Sequence, residues 1–144
     1  MQNPPPVQVS SQPPAQAGKS STGLDENIAA LLSYIFGWVS GLIFFLIEKD
    51  SRLVRFHAMQ SLLFNVLVAV VAIALWIVLF VVFLVVSQVS GALATVLSLL
   101  SILIWGVFLL AILAGFILCL VKAFQGQYFK LPVIGNFAEK FSAK

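Results

Sequence analysis

Between Arg55 and Lys122 the sequence contains no lysine, arginine, aspartate or glutamate. A water-soluble fold must solvate its outside, and so long a stretch without charge cannot do that. The whole chain agrees: 61% of its 144 residues are hydrophobic and 9% are charged, against ~45–50% and ~25% in ordinary soluble domains. The chain therefore reads as an all-α integral membrane protein, at most one domain long. Its formal charge of +3 matters by where it sits and does not point to nucleic acid. Cys119, the single cysteine, allows no disulfide within the chain.

Three apolar runs follow one another, at about 28–47, 62–86 and 96–121. The shortest holds about 20 residues, enough to cross a hydrocarbon core of ~30 Å as a helix. The second and third are separated by "SQVSGALAT" (87–95), which reads as a turn between antiparallel helices. Three transmembrane helices are expected. Ahead of them, residues 1–23 hold five of the six prolines and read as a disordered Pro/Gln-rich tail. That tail lacks the basic-then-apolar order of a signal peptide. Residues 24–144 form the membrane domain, with interfacial segments at 48–61 and 122–144. Thr22 followed by Asp25 fits a capping pattern for the first helix, and Asp25 and Glu26 put negative charge on its positive end.

Basic residues near span ends set orientation. With three spans, Lys19 stands alone on one side. Lys49, Arg52, Arg55, Lys122, Lys130, Lys140 and Lys144 share the other. The N-terminus is expected outside and the C-terminus in the cytoplasm.

"EKDSRLVRFHAMQS" (48–61) holds most of the charge beside the spans. Anchoring at the headgroups explains it better than binding or catalysis does. If the segment is helical, Glu48 and Arg52 are spaced to pair, and Leu53, Phe56 and Gln60 share a stripe. His57 is the only histidine and has no cysteine nearby, so it reads as a hydrogen-bonding group at headgroup level and not as a metal ligand. In "KLPVIGNFAEKF" Pro132 and Gly135 break an apolar run, and Asn136 is placed to cap a closing helical turn. Lys130, Pro132 and Asn136 then join Glu48, Arg52, Arg55, His57 and Gln60 in one interfacial surface, open to partners or to headgroups.

Within the spans the packing signals are small residues. Ser33, Gly37 and Gly41 repeat every four residues, and Ala111 and Gly115 form a similar pair. Such faces admit a second helix closely, more often within one chain than between two. Asn65 is expected to bond between helices. No phosphate loop, zinc-spaced cluster or serine–histidine frame is present in the sequence, so no enzyme activity, cofactor or metal is expected.

"GLDENIAALLSYIFGWVSGLIFFLIEKDSRLVRFHAMQS" and "KAFQGQYFKLPVIGNFAEK" together resemble a family of small prokaryotic membrane proteins grouped with the Tic-twenty-like proteins. The likeness covers roughly residues 23 to 140. It implies a multi-pass protein of the prokaryotic plasma membrane, with relatives in the protein-import machinery of the chloroplast inner envelope. Those relatives have four spans where three are counted here, and the resemblance brings no catalytic residues. The function expected is non-enzymatic: binding or assisting other membrane or translocating proteins. The alternative is a small oligomeric channel or transporter built around Ser33, Ser40, Asn65 and Ser98. Expected partners are the lipid bilayer, other membrane proteins or further copies of the chain.

Overall fold

The computed structural model describes residues 18–143. Most of the expected tail, residues 1–17, and Lys144 lie outside that range. The described chain is all-helical: α1 (Glu26–Ile35), α2 (Trp38–Ile47), α3 (Arg52–Val89), α4 (Gly91–Phe124) and α5 (Ile134–Ser142).

The first apolar run is not one helix. It breaks at Gly37, whose φ of 60° and ψ of −129° lie in a region that essentially only glycine visits. Ser40 secures the break: its Oγ accepts from the Phe36 amide at 3.1 Å and donates to the Ser33 carbonyl at 2.9 Å. The chain reverses there. Ser21, before α1, donates its amide to the Glu48 carboxylate, just after α2, at 3.0 Å, so the outer ends of the two helices meet. Each half is 10 residues long, about 15 Å, half the thickness of a bilayer core. α1 and α2 thus form a helical hairpin that enters and leaves at one end of the molecule. The expectation of a straight first span gives way to this.

α3 and α4 are long enough and apolar enough to cross a membrane. At 38 and 34 residues they reach about 57 and 51 Å. They run antiparallel, since facing residues step in opposite directions: Gln60 meets Cys119, Phe64 lies against Gly115, and Phe83 shares a groove with Ser98. The expected nine-residue turn shrinks to Ser90, which ends α3 and caps α4 by accepting the Leu93 amide at 3.5 Å. From Leu62 to Leu118 only Ala94 is buried.

Apart from Ala94, the buried core sits at the opposite end from Ser90. There Ala29, Ala30 and Tyr34 of α1 pack with Leu53 and Val54 of α3 and Cys119 and Ala123 of α4. α5 lays Ala138 against Phe56 and Met59. It starts at Ile134 behind Val133, so Asn136 falls inside the helix and is not its cap. Asp25, not Thr22, occupies the N-cap position of α1 and makes no side-chain cap bond.

The small-residue spacing divides in the same way. Gly41 does face a helix: a Cβ there would lie 2.9 Å from the Ala58 carbonyl oxygen of α3. Gly37 acts through its backbone angle instead. Ser33 bonds its own helix at Ala29. Gly115 and Ala111 both face α3, with Phe64 at 3.5 Å from a Cβ built on Gly115 and Ala111 in a groove with Phe64, Leu67 and Val68.

Candidate functional site

Every charged side chain among the described residues lies in segments gathered at one end: 19–26, 48–55, 122 and 130–140. Lys19 is among them, its backbone paired antiparallel with that of Asp25. The described N-terminal segment, from Gly18, therefore lies at the same end of the molecule as α5, not at the opposite end where a straight first span would put it. The reversal at Gly37 is the physical reason.

Glu48 is the first hub. It is fully buried, and its carboxylate accepts from the Ser21 hydroxyl at 2.8 Å, the Asp50 amide at 3.0 Å and the Ser51 amide at 2.8 Å. Ser20 Oγ donates as well. Burial alone would raise this carboxyl, but the bonds from Ser20, Ser51 and Ser21 outweigh it and hold it at about 2. An ionised carboxylate thus staples the N-terminal segment to the α2–α3 loop. It leaves no pairing with Arg52; the one ion pair among the described residues is Lys130–Glu139, at 2.7 Å.

His57 and Gln60 form the second hub. Both are fully buried, above the apolar part of α3 that begins at Leu62. His57 Nε2 lies 3.0 Å from the Gln127 carbonyl, which can only accept, so Nε2 carries the proton. Nδ1 is then the acceptor for the Tyr34 hydroxyl at 3.1 Å. Gln60 donates to Tyr34 Oη at 3.3 Å and to the Phe129 carbonyl at 3.0 Å. Burial drives His57 down to about 4 against the opposing effect of the Gln127 carbonyl, so the imidazole is neutral at pH 7. The network ties α1, α3 and the 125–131 loop together.

The expected interfacial surface therefore splits. Glu48, His57 and Gln60 point inward, whereas Arg52, Lys130, Pro132 and Asn136 are exposed and Arg55 is half-buried. Arg52 lines a cleft of about 240 Å³ with Phe56, Tyr128, Glu139 and Ser142. The residues that sequence reasoning missed are the partners, Tyr34, Ser20, Ser21 and the 127 and 129 carbonyls. One signal was available: Gln60 shares a stripe with Leu53 and Phe56, and that stripe is the buried one.

The polar groups expected to line a pore do not converge. Ser33, Ser40 and Ser98 bond to backbone carbonyls of their own hairpin or helix. Asn65 donates to Ser61 of its own helix at 2.9 Å and does not bond between helices. No group of three His, Cys, Asp or Glu that could hold a metal ion occurs among the described residues.

Two long apolar helices exposed along most of their length, with all described charge at one end, define a small integral membrane protein. The chain belongs to the magnetosome magnetite crystal formation protein family, whose family model matches residues 24–138. It is 37% identical to a UPF0132 membrane protein of Methanocaldococcus jannaschii over 128 residues, covering 87% of this chain and 96% of the relative. A second such protein of the same organism is 32% identical over 83% of this chain and 71% of its own. A UPF0132 membrane protein of Archaeoglobus fulgidus is 32% identical over 81% of this chain and 95% of its own. No solved structure matches.

Proposed function

We propose that this protein is a non-enzymatic membrane scaffold whose charged end faces the cytoplasm and binds other membrane or translocating proteins. The observation that carries the reading is the collection of all described charge on one hydrogen-bonded platform above two uncharged spans. Among residues 18–143 all seven lysines and arginines lie at this end and none lies near Ser90, which favours the cytoplasmic side for that platform. Both the N-terminal segment and α5 then lie inside the cell, with Ser90 at the outer face. Rigid bonding through Glu48, His57 and Gln60 holds Arg52, Lys130, Pro132 and Asn136 in fixed relation, which limits the ordering cost of binding. The resemblance to a prokaryotic family grouped with the Tic-twenty-like proteins, whose remote chloroplast relatives serve protein import, suggests the same class of partner.

The family's description concerns magnetite crystals, which would call for acidic or metal-binding surface. Here exposed Asp25, Asp50 and Glu139 are interspersed with Lys19, Lys49 and Lys130, a mixed surface suited to proteins. Cross-linking in membranes followed by mild-detergent purification tests the scaffold reading. The Arg52→Glu, Asn136→Arg double variant changes exposed side chains only. It should insert normally and lose the co-purifying proteins; an unchanged set would refute a partner surface there.

A further inference from the structure

Arg55 is the one guanidinium of the platform turned inward, and its bonding is incomplete. Nη1 donates to the Glu48 carbonyl at 3.3 Å. Nε is sealed from solvent with no partner, and Nη2 has none among the described residues but is not sealed. The Phe45 ring supports the group from one side, 5.2 Å from centroid to Cζ. No carboxylate lies within ion-pair distance of it among the described residues, where the one ion pair is Lys130–Glu139. A half-buried cation with a free donor and no anion is costly to keep unless an anion arrives.

Its level in the molecule says which anion. Leu46 and Ile47, 66% and 51% exposed, are the last lipid-facing side chains of α2. Glu48, whose carbonyl holds Arg55, comes next. The guanidinium therefore stands where apolar surface gives way to charge, the level of lipid headgroups. Exposed Lys49 follows that same carbonyl, and exposed Arg52 lies one turn away on α3. We propose that Arg55 binds the phosphate of an anionic membrane lipid, with Nη2 donating to a phosphate oxygen, Lys49 adding charge, and the acyl chains lying along Leu46 and Ile47. An arginine held over an aromatic ring presents a planar, forked set of donors to phosphate, which a lysine cannot do.

The full-length protein in neutral detergent, titrated with phosphatidylglycerol or phosphatidylcholine and followed by thermal unfolding, tests this. Phosphatidylglycerol should raise the midpoint at low mole ratio, and phosphatidylcholine should not. Arg55→Lys should weaken that response about tenfold, as expected for loss of a charge-assisted bond, whereas Arg52→Lys should keep it. An equal response in Arg55→Lys overturns the assignment. Equal stabilisation by millimolar inorganic phosphate replaces the lipid with a free anion and also overturns it. Should Arg55→Lys fail to fold, photoactivatable phosphatidylglycerol on the unaltered protein decides: labelling within residues 45–55 supports the site, and labelling confined to α4 or the outer half of α3 rejects it.

Discussion

The two ends of the α3–α4 hairpin are made of the same continuous helices and are stabilised by different means. At the charged end α1, α2 and α5 wrap the hairpin, and polar side chains as large as Tyr34, His57, Gln60 and Glu48 are buried below 2% exposure. Toward Ser90 no other described element packs on the hairpin. Trp76, Ile102, Leu103 and Val107 are each more than half exposed, and the hydroxyls of Thr95, Ser98 and Ser101 turn back onto their own helix carbonyls. The contrast teaches that lipid is the solvent for one half and protein for the other. Where lipid is the solvent, apolar exposure carries little cost and shape is loosely constrained. Where protein is the solvent, each polar group needs a designated partner.

Topology gives the largest effect, because it is all-or-none. A reporter active only in the cytoplasm should work when fused at either terminus and fail when inserted at Gly91. Activity at the C-terminus alone would restore a three-span arrangement and break the contrast between the ends. Next comes Glu48→Ala, which strands the donors of Ser20, Ser21, Asp50 and Ser51. It should cost roughly 3 kcal/mol in detergent unfolding. A loss below about 0.5 kcal/mol, the size of an ordinary surface change, would show that the staple is not structural.

Gly41→Leu should cost about 1–3 kcal/mol through overpacking, since its Cβ would press on the Ala58 carbonyl. Gly106→Leu, in the bare half with nothing within 4 Å, should be tolerated, as should Leu103→Ala. Equal sensitivity at Gly41 and Gly106 would mean that the bare half is covered by a partner in the membrane.

Read per pH unit, the smallest effect is that of pH. His57 titrates at about 4 when folded and near 6.5 when unfolded. The unfolded chain therefore takes up its proton first. Stability contributed by neutral His57 is complete above pH 6.5 and falls as pH drops toward 4, by at most about 1.4 kcal/mol per unit. The Glu48 contribution stays until pH falls below its ordinary value of 4.5 toward 2. His57→Gln should flatten the unfolding midpoint between pH 6.5 and 5; an unchanged slope would assign the effect to another group.

The sequence by itself determined the solvent of the chain. Two uncharged runs, each longer than a bilayer core, can only be helices in lipid, because every backbone group must be satisfied within the segment. It also marked Gly41, Ala111 and Gly115 as packing positions, since a missing or small side chain has one geometric consequence wherever the neighbouring helix comes from. Only the tertiary structure decided the path. An apolar run of bilayer length became a hairpin through one backbone angle at Gly37 and one hydroxyl at Ser40, and hydropathy does not record either. Likewise the ionisable groups at 48 and 57 read locally as surface. They are interior because Ser20, 28 residues before Glu48, and Gln127, 70 residues after His57, supply their partners. Whether a polar side chain faces water or protein depends on donors and acceptors that folding brings from far along the chain.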